Sequence, residues 1–437
     1  MAFERDEMEK RRQQRKQRAQ QRQAERKKLL TRLIVAAAVL VACAVLILVI
    51  TMNTDSNDTQ KQNPQQTGTS TETQQQEGTE QTQESTQPKK EGTTVIHFGA
   101  VGDLNITDNV VAAGGELFDY TDAFCDVVPL LAQTDLTVVN LEGSFAGSPY
   151  GSQTASAPQQ LITALANIGV DMIQVANSYA MNKGVSGLIS TLQSIRAAGL
   201  TPVGAFVNGQ EFNKTGGYNI FYAGGLRIAV VAFTKGMDNM ALPAGSEKCV
   251  NLLYSDYSSN YHDINTQGIT KILRNIKKDD PDVTIALLHW GSEYNDTHSE
   301  TQKKIRDLML KEGVDAIIGT HPHYVQEIEF NEQAGTLVAY SLGDFFGDGK
   351  RSGTEYSIFL DLEITKDNKT GETKITGYSY TPMFIVSDEQ TLRVVRLEQT
   401  MAAYEQDHIE KVSRSTYESM KYAQERVALR VNPKKEE

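Results

Sequence analysis

The sequence predicts a mixed α/β body carried behind a separate N-terminal part, and three observations point to it. Strand-like apolar runs alternate with helix-like segments from Val95 to His323, which argues for a mixed sheet covered by helices. Beyond His323 the runs Tyr324–Phe330, Thr336–Tyr340, Tyr356–Ile364 and Lys374–Phe384 follow one another with no helix between. Such a half suggests a second, antiparallel sheet packed on the first. Finally, five polar clusters stand at the ends of apolar runs, where open α/β sheets place their ligands.

Each element has its own warrant. Val95–Val101 reads as a strand closing on Gly102-Asp103. Phe118–Gln133 has helical spacing, with Phe124, Val127, Val128 and Leu131 on one face. Leu136–Glu142 is the next strand, Gln159–Ile168 a helix, and Asp171–Ala176 a strand ending at Asn177. Val185–Ala198 is a helix stopped by Gly199. Gly217–Ala223 and Leu226–Phe233 make a hairpin around Gly224-Gly225. Ile264–Lys278 and Ser299–Lys311 are helices, flanking the strand Val283–Leu288 that runs into His289. Val314–Ile318 is a buried strand bounded by Gly319, and Glu398–Val427 is a polar, helix-prone stretch suited to a surface helix or a frayed tail.

The N-terminal part differs in kind. Residues 1–32 hold 12 Lys/Arg against 5 Asp/Glu, so they carry +7, while the 437-residue chain totals −12 and the remainder therefore −19. An acidic body argues against a nucleic-acid partner, because phosphate binding needs clustered Lys and Arg. Leu33–Met52 is an uncharged apolar run whose length of about 20 residues matches a bilayer's hydrocarbon core. It is longer than a signal-peptide core and shows no convincing cleavage site, which favours an uncleaved anchor. The basic flank places the tail in the cytoplasm and the body outside. Residues 53–93, rich in Gln, Thr and Ser, cannot bury enough surface to order themselves and read as a disordered stalk. The expected organisation is thus a basic tail (1–32), a transmembrane helix (33–52), a stalk (53–93), a folded domain (94–390) and a C-terminal helix or tail (391–437). Cys43 lies in the anchor. Cys125 and Cys249 could pair in an oxidising compartment or stand as two buried thiols.

The sharpest motif is Gly319-Thr320-His321-Pro322-His323. Pro322 biases His321 toward extended backbone, where positions two apart share a side, so the two imidazoles are expected side by side. The other clusters are Gly102-Asp103-Leu104-Asn105, Asn140-Leu141-Glu142, Asn177 and His289-Trp290-Gly291. Carboxylates, amides and neutral imidazoles without a thiolate suit Mn²⁺, Fe or Zn²⁺. Six ligands exceed one tetrahedral shell, and a bridging Glu142 or Asp103 would allow two ions about 3.5–4 Å apart, an arrangement suited to phosphate esters.

In order, Gly-Asp, Asn-Leu-Glu, Asn-x-x-x-x-Asn-x-Gly, His-Trp-Gly-Ser-Glu-Tyr, Gly-Thr-His-Pro-His and Tyr-Ser-Leu-Gly-Asp-Phe resemble the CapA family of poly-γ-glutamate-type capsule-synthesis proteins, within the calcineurin-like metallophosphatase superfamily. The resemblance spans roughly residues 94–390. It implies a four-layer α/β/β/α sandwich, with two divalent metal ions (Mn, Fe or Zn) held by Asp103, Glu142, Asn177, His289, His321 and His323. Asn105 stands at a further first-strand ligand position. It also implies a membrane-anchored, extracytoplasmic role in capsule or cell-envelope polymer synthesis, with the polymer and its membrane synthase as partners. Two departures stand out. Tyr179 occupies the place of the family's proton-donating histidine, and Asn182 that of an aspartate which could pair with it. A third is Asp344, where the family pattern has Asn. The metal shell is therefore expected complete and the proton-transfer pair lost. Either Tyr179, His298 or a water at the metal does that work, or the body binds polymer and assists assembly without turnover.

Overall fold

The computed structural model describes residues 92–387, 391–406 and 412–433. The expected tail and anchor, and the expected stalk up to residue 91, lie outside these residues; Thr93, the last residue of the expected stalk, already belongs to the first strand. Among the described residues no helix is long and apolar enough to cross a membrane.

Two mixed sheets carry the fold. The first contains β1 (Thr93–Asn105), β2 (Leu136–Glu142), β3 (Met172–Gln174), β4 (Thr201–Val203), β11 (Asp344–Phe346), β12 (Tyr356–Asp367), β13 (Thr373–Ser387) and β14 (Leu392–Arg396). Its order is β14-β13-β12-β1-β2-β3-β4, and β11 pairs with the far end of β1. The second contains β5 (Asn219–Ala223), β6 (Leu226–Thr234), β7 (Val283–His289), β8 (Ala316–Thr320), β9 (Ile328–Asn331) and β10 (Thr336–Ala339), in the order β5-β6-β7-β8-β10-β9. The strands after His323 therefore do not form a second sheet of their own. β9 and β10 extend the second sheet, while β11 to β14 join the first. Local apolar patterning specifies a strand but not which edge accepts it.

The helices are α1 (Asp108–Ala112), α2 (Thr121–Phe124), α3 (Val128–Leu131), α4 (Gln159–Ile168), α5 (Gly184–Ala197), α6 (Gly209–Thr215), α7 (Thr266–Lys278), α8 (Glu300–Lys311), α9 (Leu397–Glu405) and α10 (Arg414–Val431). The single helix expected over Phe118–Gln133 is broken into α2, a short 3₁₀ turn and α3, with Pro129 in the first turn of α3, where its missing N–H does no harm. A capping box between Ser299 and Gln302 starts α8. At the C-terminus, α10 buries Met420, Ala423, Val427 and Val431 and is docked rather than frayed.

Parity on the second sheet shows how the layers stack. In β6, Ile228, Val230 and Ala232 join the large core shared with the first sheet. Their neighbours Ala229, Val231 and Phe233 join a second core, with Ile269, Ile272 and Leu273 of α7 and Ile305 and Met309 of α8. One face thus meets the first sheet and the other is covered by helices, so β6, β7 and β8 are buried on both faces and read as nearly continuous apolar runs. Helices α4 and α5 add Leu161, Leu165, Leu188 and Leu192 to the large core. Cys125 and Cys249 are separate free thiols.

Candidate metal centre

The parallel strands of both sheets end at one place. From the first sheet come Asp103 and Asn105 at the end of β1, Asn140 and Glu142 at the end of β2, Asn177 beyond β3, and Asp344 opening β11. From the second come His289, the last residue of β7, and His321 and His323, just past β8. Carboxylates are supplied by one sheet and imidazoles by the other.

Two close approaches build the site. Asp103 and Asp344 are register partners, and Gly102 makes that pairing possible: a Cβ there would lie 1.8 Å from the Gly343 carbonyl oxygen. The Asp103 N–H donates to that carbonyl at 3.0 Å. Gly319 plays the same part on β8, where a Cβ would meet the Tyr340 carbonyl oxygen at 1.9 Å. That carbonyl accepts from Nε1 of the fully buried Trp290, at 2.9 Å.

The two histidines of the Gly-Thr-His-Pro-His motif lie close together, with ring centroids 6.0 Å apart, but not on extended backbone. His321 has φ of 93° and His323 of 60°. Both sit in a turn, in the left-handed region that side chains with a Cβ adopt at a cost of about 1–3 kcal/mol when the surroundings enforce it. Here the enforcement is visible: the His321 N–H donates to Asp103 Oδ2 at 3.0 Å.

Two groups of donors result. In one, Glu142 Oε1 lies 3.4 Å from His289 Nε2 and 3.8 Å from His321 Nδ1. In the other, His323 Nδ1 lies 2.8 Å from Asp344 Oδ1 and 3.8 Å from Asp103 Oδ2. Within each group of three, the candidate ligand atoms lie within 4.8 Å of one another. Asn140 joins the groups, its amide nitrogen donating to Asp103 at 2.6 Å and reaching Glu142 at 3.4 Å. All six titratable donors are buried.

Burial sets the electrostatics. It pushes the Asp103 carboxyl up to about 6, with His323 pulling the other way. Burial and then Asp103 raise Glu142 well above the usual range. Burial also holds His289 and His321 well below an ordinary histidine. For His323 burial disfavours the charged ring, but Asp344, Asp103 and Glu142 outweigh it and raise the group to about 10. Crowded carboxylates and two neutral imidazoles away from water are the environment that a divalent cation stabilises. Two buried polar atoms at the centre, His321 Nδ1 and Asn140 Oδ1, have no hydrogen-bond partner. The residues present therefore fit divalent metal ions.

The other sequence-derived candidates divide. Asn177 is buried beside the centre, with its amide oxygen accepting from the Tyr179 N–H at 2.8 Å and its amide nitrogen donating to the Leu141 carbonyl. Asn105 approaches His323 Nδ1 through its amide nitrogen at 3.4 Å. Tyr179 is close enough for Glu142 to act on it, and burial and that charge push its phenol up to about 12. The Asn182 amide nitrogen donates to the Thr154 carbonyl at 2.7 Å. His298 is not in this cluster. It bonds Glu327 at 3.0 Å and stacks on Tyr340 with centroids 4.0 Å apart.

Three further residues belong to the site. Asp344 was legible only as a departure from a motif. Glu293, which is exposed, can share a cation with His321 and His323. Lys235, next after β6, donates to the Gly291 carbonyl at 2.9 Å and brings Nζ to 3.5 Å from His321 Nε2. Burial holds its ammonium below an ordinary lysine's pKa. Only its position after an apolar strand, shared with the other ligand clusters, could have pointed to it.

A mixed α/β fold with a buried carboxylate–imidazole centre at its strand ends defines a candidate metal-binding protein. The chain belongs to the bacterial capsule synthesis protein PGA_cap family, whose model matches residues 97–348. It is 29% identical over 217 residues to the capsule biosynthesis protein CapA of Bacillus anthracis, covering 49% of each chain. It is 27% identical over 222 residues to the PGA biosynthesis protein CapA of Bacillus subtilis (strain 168), covering 50% of this chain and 53% of that one. The chain thus spans about half the length of the curated relatives it matches. Among solved structures, it is similar to a novel phosphatase of Mycoplasma pneumoniae (TM-score 0.40, 15% identity, 68% of this chain and 97% of that one). It is also similar to a putative 5'-nucleotidase of Staphylococcus aureus (TM-score 0.42, 13% identity, 76% of this chain and 58% of that one).

Proposed function

We propose that this protein works outside the cell membrane in the synthesis of a capsule or envelope polymer of the poly-γ-glutamate type, through a two-metal centre of the metallophosphoesterase kind. The observation that carries the reading is the convergence of Asp103, Glu142, Asp344, His289, His321 and His323 on one buried spot. Glu142, His289 and His321 would hold one ion, and Asp103, His323 and Asp344 the other, with Asn177 and Asn105 beside them. Mn, Fe or Zn suits this donor set. When bound, such a pair activates a water and stabilises the charge that develops on a phosphoester in an in-line displacement.

The chain's own residues do the rest. Asn140 fixes Asp103 and keeps both carboxylates facing inward. Lys235, half-buried and tethered to Gly291, presents a cation to an anionic substrate. The polymer and its membrane synthase are the proposed partners. The basic tail, apolar run and stalk support anchoring with the body outside.

A specific observation favours a second reading, in which the body binds polymer or assists a synthase without turnover. A phenol pushed up to about 12 keeps its proton throughout the neutral range and is a weak general acid, and Asn182 gives it no carboxylate partner. Elemental analysis of the purified full-length protein, beside a phosphoester screen with Mn²⁺, separates the readings. Bound metal lost in Glu142→Ala and His289→Ala supports the centre, and unchanged metal content in both variants defeats it. Turnover abolished by Glu142→Ala rules out the non-catalytic reading, whereas activity that appears only in Tyr179→His establishes it.

A further inference from the structure

Ser178 belongs to none of the sequence motifs, yet its hydroxyl reaches the centre. The residue follows Asn177 in the turn beyond β3 and is half-buried. Its Oγ lies 2.9 Å from His289 Nε2. Its backbone N–H donates to the same nitrogen at 3.3 Å. An N–H can only donate, so Nε2 holds the lone pair of the ring and Nδ1 the hydrogen, with Thr320 Oγ1 at 3.4 Å within reach to accept it. Glu142 Oε1 also faces Nε2, at 3.4 Å. Three groups thus converge on a single lone pair.

The spacing is that of ligands around one ion. Two ligands each about 2.1 Å from a divalent cation stand roughly 3.0 Å apart at a right angle and roughly 3.4 Å apart at the tetrahedral angle. The Ser178–His289 and His289–Glu142 separations match those values. The chain enforces the placement. The Asn177 amide nitrogen donates to the carbonyl of Leu141, the residue before Glu142. The Asn177 amide oxygen accepts from the Tyr179 N–H at 2.8 Å. Ser178 is held between these two anchored neighbours, while Asn177 turns both ends of its own amide to main chain. The other hydroxyl close to His289, on Thr320, meets Nδ1 and not Nε2.

We propose that the Ser178 hydroxyl is a fourth donor to the ion assigned to Glu142, His289 and His321, in the place that the resemblance gives to the Asn177 amide; this rests on the metal-centre reading above. A hydroxyl oxygen binds through a lone pair, keeps its hydrogen and adds no charge. This shell then holds one carboxylate, against two in the group of Asp103, His323 and Asp344. The ion beside Ser178 keeps more of its positive charge, which suits it to draw in an anionic oxygen of a substrate. A serine one position past an asparagine carries no such signal in the sequence.

The test is cobalt(II) titration of chelator-treated full-length protein, parent and variants alike, with ion uptake followed by equilibrium dialysis. Ser178→Ala is expected to weaken uptake of one ion about tenfold while circular dichroism stays unchanged. Ser178→Cys supplies a readout that a merely structural serine would not give. A thiolate bound to cobalt absorbs in the near ultraviolet, so a charge-transfer band missing from the parent should grow in step with uptake. Cys125 and Cys249 are common to parent and variant and cancel in the difference spectrum. Parent-like uptake in Ser178→Ala, or no new band in Ser178→Cys at saturating cobalt, overturns the assignment while leaving the metal centre standing. A parent protein that takes up no cobalt defeats the metal-centre reading itself, and this assignment with it.

Discussion

Gly102 and Asp344 show how much of the centre rests on single positions. Adding one methyl at Gly102 puts a carbon 1.8 Å from the Gly343 carbonyl oxygen, so β1 and β11 must separate. Overpacking of this kind costs about 1–3 kcal/mol. Gly102→Ala should therefore lower the urea midpoint and the bound metal together, and a variant with wild-type values for both would refute the role given to this glycine. Asp344, one of the three donors proposed for the second ion, lies 2.8 Å from His323 Nδ1, and losing even a ligand's hydrogen-bonded partner typically costs about 10–100-fold in metal affinity. Asp344→Asn is expected to weaken metal binding in that range while circular dichroism stays unchanged; undiminished affinity in a metal titration would exclude it. At this scale the sequence was partly legible. The histidines were found because a proline separates them and an apolar strand precedes them. The reason offered for their closeness was wrong, since both rings are positioned by a left-handed turn held by Asp103. Asp344 could not be foreseen as a donor, because its nearness to Asp103 comes from a parallel pairing between segments far apart in the chain.

Among the elements, β8 shows how a buried strand start shapes pH dependence. Asp315, just before it, accepts from the Thr284 N–H of β7 at 2.8 Å. Burial pushes its carboxyl up from 3.8 to about 6, with the Thr284 N–H pulling the other way. A carboxyl whose folded value is raised binds its proton more tightly in the folded state, so it favours folding at low pH, and that contribution is lost as pH rises from about 4 to about 6. Asp315→Asn removes this titration. Its stability relative to the parent should climb across that window and level off above it, as read from urea midpoints at several pH values; parallel profiles would refute the assignment. Strand and helix positions were readable because β6, β7 and β8 are buried on both faces and α7 and α8 carry one apolar stripe each. The partition of the late strands between two sheets was not, because the same alternating pattern serves either edge.

For the molecule as a whole, a ligand bound only by the folded state adds stability by mass action, about 2.7 kcal/mol at a hundredfold excess over the dissociation constant. Chelation should lower the thermal midpoint, and added Mn²⁺ or Zn²⁺ should restore it. The chain has one tryptophan, Trp290, fully buried and adjacent to His289, so its emission should shift with the same titration. A midpoint and a spectrum both indifferent to chelator would count against the centre. The division of donors between the two sheets carries a last implication. Apart from the exposed Glu293, the carboxylates come from one sheet and the imidazoles from the other, so an unfolded or half-docked chain has little to hold an ion with. Cation uptake then marks the completion of folding. If the body folds outside the membrane, as proposed, the ion it takes up would be set by what is abundant there.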